Sequence, residues 1–288
     1  MKTIKTATLF FIISITVFGQ KTDKYDLNWK IDKNDTLCYQ TIMSVINNPD
    51  DKDETFSFIP DSIDGKELFK KLTEAFNNFD YETYLTNPSD STINIVLETV
   101  SDEKNEMLNN DSLDDSQKEM LKQFMSNIMV RGQIYKSGEI KSFWLKSTQK
   151  NLIAILFELP TIPVSIGDTW ELDVNLIQND QSFICDSAYK RNEVTFIGIE
   201  TDNNEKIAVI KYDIVEYVDG TFKMPGFMGK DGPTEAMMKL SHKAVGRFSI
   251  DKGKWISYDG IMEYVASGVM DAHTKTRLAL IEKKVNKQ

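Results

Sequence analysis

Two histidines, two cysteines and a group of methionines are the scarce side chains through which this chain could do metal, redox or nucleophilic chemistry. His242 and His273 lie in different segments and match neither the HExxH nor the zinc-finger spacing, whereas a zinc site needs three or four ligands at fixed geometry. Met224, Met228, Met237 and Met238 are soft ligands of the kind Cu(I) takes, but they form no tight repeated motif. No G-x-S-x-G elbow presents a serine, and neither Cys38 nor Cys185 has a convincing activating histidine. Carboxylates are so abundant that no pair stands out as a glycosidase couple, and the P-loop, G-x-G-x-x-G and calcium-loop orders are absent. The expectation is a binding protein rather than an enzyme, with no catalytic residue, metal ligand or cofactor.

Charge narrows the partners. The 44 acidic residues outnumber 34 basic ones, a formal charge of −10. That balance opposes nucleic acid, whose binding relies on clustered Lys and Arg. At the N-terminus, Lys2 and Lys5 precede an uncharged run from Ala7 to Gly19. A basic start, a short apolar stretch and a small residue at its end make a cleavable secretory signal over 1–19. The run falls short of the roughly 20 residues a membrane span needs, so no transmembrane segment is expected after cleavage. The protein is expected outside the cytoplasm, in the periplasm or the medium. Export would let Cys38 and Cys185 form a disulfide; two unpaired cysteines are the alternative.

Periodicity gives the elements. Leu37 to Ile46, Thr92 to Val100, and the pair Val130 to Tyr135 and Ile140 to Trp144 around Gly138 read as strands. Apolar residues three and four apart predict a helix within Asp61 to Phe79, and a second from a Ser116–Glu119 capping box to about Met129. The stripe Met120, Phe124, Met125 and Ile128 on that second helix is the candidate apolar ligand face, with simple core packing as the alternative. Ser147 to Leu159 reads as a third helix. Strands follow at Thr169 to Ile177, Glu193 to Ile199, Lys206 to Val218, Ala244 to Asp251, Lys254 to Val269 and Thr274 to Lys283. A long Gly/Met/Pro loop, Asp219 to Leu240, interrupts them, its tail from Pro233 a helical turn.

One segment is distinctive: LPTIPVSIGDTW, in which Pro160 and Pro163 hold the chain extended, Gly167 and Asp168 make a turn, and Trp170 enters the next strand. On these residues the chain resembles a group of exported bacterial β-rich proteins, of uncharacterised function, that share an LP-x-x-PV-x-x-GD-x-W signature. The resemblance covers roughly the second half and implies a strand meander after the signature. It brings no catalytic or binding residues.

Residues 20–288 are therefore expected to form one β-rich α+β domain, or two fused halves meeting near 146–168. Its curved antiparallel sheet, a half-barrel-like meander, would pack against two or three amphipathic helices. Periplasmic lipid and lipoprotein carriers use that shape. By this analogy the expected function is binding of an apolar small molecule or a lipidated partner. The alternative is a structural or protein-interaction component of the cell envelope.

Overall fold

The computed structural model describes residues 23–33, 35–46, 80–99, 128–145, 150–177, 182–223, 232–268 and 272–284. Among the described residues eleven strands form one antiparallel sheet: β1 (Thr36–Val45), β2 (Asp80–Thr86), β3 (Thr92–Thr99), β4 (Ile128–Tyr135), β5 (Ile140–Leu145), β6 (Thr169–Trp170), β7 (Phe183–Asp202), β8 (Glu205–Phe222), β9 (Thr234–Ser249), β10 (Lys254–Ser267) and β11 (Ala272–Lys283). Their order is β5-β4-β3-β2-β1-β11-β10-β9-β8-β7-β6, so two sequential meanders join where β1 pairs with β11. Among the described residues there is one helix, α1 (Lys150–Phe157), which lies in sequence between the two meanders.

This corrects the expected packing of a sheet against two or three helices: the described chain is almost wholly β. The expected helix within 61–79 lies outside the described residues, as does most of the second one. Its last two residues, Ile128 and Met129, open β4 instead. From there the buried positions Val130, Gly132 and Ile134 recur at two, which is the period of a strand.

One face of the sheet, here the inner face, carries the core. Ile93, Ile95 and Leu97 of β3, Val130 and Ile134 of β4 and Leu278 and Leu280 of β11 are all buried and on one side of the pleat. The short helix α1 lies against this face and buries its last five residues, Ile153 to Phe157. Eight residues cannot sustain a helix alone, so tertiary packing holds it. Its C-terminal carbonyls, which have no partner within the helix, are taken by two indoles. Trp255 Nε1 donates to Leu156 O at 2.7 Å, and Trp29 Nε1 donates to Phe157 O at 2.9 Å. Phe248 and Tyr39 complete an aromatic plug around these rings. Gly246 makes room for it, since a Cβ there would lie 2.6 Å from the Trp255 ring.

The distinctive segment ties the stretch around Tyr25 to β7. Val164 and Tyr25 exchange backbone hydrogen bonds at 2.8 and 2.9 Å, and Gly167 and Asp168 bond to Phe196 of β7 through their backbones. Gly167 has φ +95°, a conformation natural to glycine, and Asp168 Oδ2 accepts from Ser165 N at 2.8 Å to close the turn. Pro160 is buried after α1, Pro163 is exposed, and Trp170 is half-buried in the two-residue β6.

Two further expectations change. Asp219 to Leu240 is not one loop: β8 continues to Phe222 and β9 already begins at Thr234, so the predicted helical turn is strand. Thr169 to Ile177 is not one strand either, because pairing stops after Trp170. Cys38 and Cys185 are both free, Cys38 buried in β1 and Cys185 exposed in β7. Four strands stand between β1 and β7 in the sheet. At about 4.8 Å per strand step, that separation exceeds the roughly 7 Å between Cα atoms that a disulfide spans.

Candidate functional site on the inner face

Strand register divides the inner face into rows. Below the middle, Ile210, Tyr212, Tyr258 and the plug fill it. The next row carries Ile214, His242 and Met262 side by side on β8, β9 and β10. His242 is fully buried and its Nε2 lies 2.6 Å from the Tyr258 hydroxyl, with the two rings stacked at 8°. Burial pulls the imidazole down to about 4, so it is neutral at physiological pH. A neutral histidine sealed among tyrosines organises a core. No substrate reaches it.

Above that row the chemistry changes. Glu216, Leu240 and Tyr264 share one row, and Val218, Met238 and Ala266 the next. Val218, Met238, Leu240, Met262 and Tyr264 are only half-buried. This is a soft, apolar patch, of the kind that adapts to apolar partners.

A strap bounds the patch. After β6 the chain 171–177 runs along the inner face, bends at Asp173, where Val174 N donates to Leu172 O at 2.9 Å, and alternates exposed Glu171, Asp173 and Asn175 with buried Leu172 and Val174. Buried backbone groups must find partners, and here side chains supply many of them. Leu172 N donates to Asn192 Oδ1 at 3.2 Å and Asn192 Nδ2 donates to Leu172 O at 2.6 Å. Asp173 N donates to Glu158 at 2.9 Å. Asn175 N and O both bond to the Asn151 amide, at 2.9 and 2.6 Å. Glu216 Oε2 accepts from Leu176 N and Ile177 N at 2.7 and 2.9 Å. Lys190 donates to Val174 O and pairs with Glu216 Oε1, 2.9 Å away.

Two buried carboxylates thus hold the strap. Glu158 sits at the end of α1, where burial pushes the pKa of its carboxyl up to about 7, against the Asp173 N–H and Lys150, which lower it. Glu216 is matched by Lys190 and the two amides.

Of the residues expected to face an apolar ligand, Met120, Phe124 and Met125 lie outside the described residues. Ile128 is half-buried at the start of β4 and is not on a helix. The sequence reading missed the patch because it placed Met238 and Leu240 in a loop. The alternation of Ala236, Met238, Leu240 and His242 was the available signal. Among the described residues no cluster of metal-ligating side chains occurs, and no helix is long and apolar enough to cross a membrane. Burial pushes the Cys38 thiol up to about 11, which leaves it a poor nucleophile.

No protein-family model matches the chain, and no curated protein matches it.

Proposed function

We propose that the chain is an exported, non-enzymatic binding module that holds an apolar ligand, or the lipid of a lipidated partner, against the upper inner face of its sheet. The observation that carries this reading is the contrast along one face. Its lower half is closed by an aromatic plug, and its upper half keeps Val218, Met238, Leu240, Met262 and Tyr264 half-buried. The strap beside them supports the reading, because it lays Leu172 and Val174 on this face with side chains, not a β-ladder, holding its backbone. Side-chain tethers release more locally than a strand pairing does. Export rests on the pattern of residues 1–19.

The test is binding of a neutral naphthylamine dye whose emission rises in apolar surroundings. The chain should take up the dye saturably, and Leu240→Gln with Met262→Gln should weaken uptake about tenfold, the worth of one or two lost apolar contacts. Dye binding that is absent, or unchanged in the double variant, would contradict the site.

A further inference from the structure

The outer face of the same strands carries a groove of about 870 Å³, within the size range of small-molecule sites. It is independent of the inner patch, because side chains alternate across the pleat. Its floor is apolar: Val215 is buried, while Tyr189 and Ile261 leave about half their surface open, 52% and 46%. Exposed aromatic and aliphatic groups of this size on neighbouring strands call for a partner.

The charges around the floor are unequal. Arg191, Lys239, Lys243 and Lys275 line the groove, against a single lining carboxylate, Glu263. Arg191 is taken by Asp213 at 2.8 Å, and Glu263 is taken by His273 at 2.8 Å and Lys275 at 3.2 Å. Lys243 stands opposite Asp213 in the register, but the ion pair of that carboxylate is with Arg191. Lys239 and Lys243 make no ion pair among the described residues. Two uncompensated cations on an outer surface are notable in a chain of charge −10.

Their spacing gives them a common target. Residues four apart on a strand share a face and lie about 13 Å from each other, and two lysine stems reaching inward meet over the position between them. That position is Ser241, whose hydroxyl adds a neutral donor. An acid group over Ser241 is held by Lys239, Lys243 and the serine hydroxyl; Glu263, directly across on β10, has its charge taken by Lys275, and an attached chain runs over Val215 and Ile261. We propose that this groove binds a single-chain amphiphilic anion, its acid group between Lys239 and Lys243 and its apolar chain along the floor. A mineral anion would leave the floor without a function, and an uncharged lipid would leave the lysines without one.

Calorimetric titration of the full chain at pH 8 with dodecanoate, dodecanol and acetate, all below micellar concentration, tests the assignment. Dodecanoate should bind at least about tenfold more tightly than dodecanol and lose affinity as sodium chloride rises, with acetate failing to saturate. Lys239→Gln with Lys243→Gln should abolish the preference for the acid, and Ile261→Ser should weaken dodecanoate several-fold; all three positions are exposed, so folding is preserved. Leu240→Gln with Met262→Gln should leave the preference for the acid intact, which separates this groove from the inner site. Equal binding of acid and alcohol, acetate binding as tightly as dodecanoate, no dodecanoate binding at all, or an affinity unmoved by the lysine variants would overturn the proposal.

Discussion

Asn192 bonds both backbone groups of Leu172, accepting from its N–H at 3.2 Å and donating to its C=O at 2.6 Å, so one carboxamide replaces a rung of β-ladder. Asn192 is 9% exposed and Leu172 5%. Asn192→Ala leaves the Leu172 N–H of the strap buried without a partner, at a cost of about 1–3 kcal/mol, while Leu172 O keeps only the bond from Val174 N at 2.9 Å. The strap should therefore open before the sheet does. Hydrogen exchange would register the change as faster exchange confined to 171–177, with β8 and β9 unchanged; uniform loss of protection would contradict a separately released strap.

Glu158 makes the strap sensitive to pH. Its carboxyl sits at about 7 in the folded chain, mainly through burial, against an ordinary value of 4.5. The folded state thus holds a proton that the unfolded state has given up. Stability from this group is fully present below pH 4.5 and lost as pH rises through 7. Glu158→Gln stays neutral throughout and keeps an acceptor for Asp173 N. Relative to the parent, its stability should rise by about 2–3 kcal/mol between pH 4.5 and 8. Denaturant titrations at the two pH values decide it, and a constant difference would remove Glu158 from the account.

His242 behaves in the opposite sense. Its folded value of about 4 lies below the ordinary 6.5, so its contribution is present above pH 6.5 and is lost as pH falls toward 4. Tyr258→Phe removes the hydroxyl 2.6 Å from Nε2 and leaves the imidazole buried with that nitrogen unpartnered, at a cost of about 1–3 kcal/mol. Adding His242→Leu should recover part of that loss, since replacing both partners by apolar groups of similar shape is close to neutral. A double-mutant cycle with no coupling would mean the pair does not act as a unit.

Much of the sheet was legible in the sequence, for a physical reason. Ile93, Ile95 and Leu97, or Val130 and Ile134, alternate cleanly because one face is buried and the other is not. The hairpin at Gly138 declared itself by its turn, and Pro160 closed the reading of α1. Legibility failed where the local pattern and the tertiary partners disagree. Residues 171–177 alternate like a strand, but their backbone partners are side chains remote in sequence, Asn192 and Glu216 among them. The upper halves of β7 to β9 failed differently. Ile184 to Lys190 are exposed on both faces of the pleat, so no burial period marks them, and β9 begins amid methionines that resemble a loop. The outer groove could not be seen in advance, because Tyr189, Val215, Lys239, Lys243 and Ile261 meet only through the register of four strands.

The central claim is that the inner face holds an apolar molecule. Native mass spectrometry of the protein purified from its own host, followed by organic extraction, measures that most directly. The account predicts an added mass of lipid size that is released by solvent and greatly reduced in the Leu240→Gln, Met262→Gln variant. The bare polypeptide mass, in parent and variant alike, would contradict it.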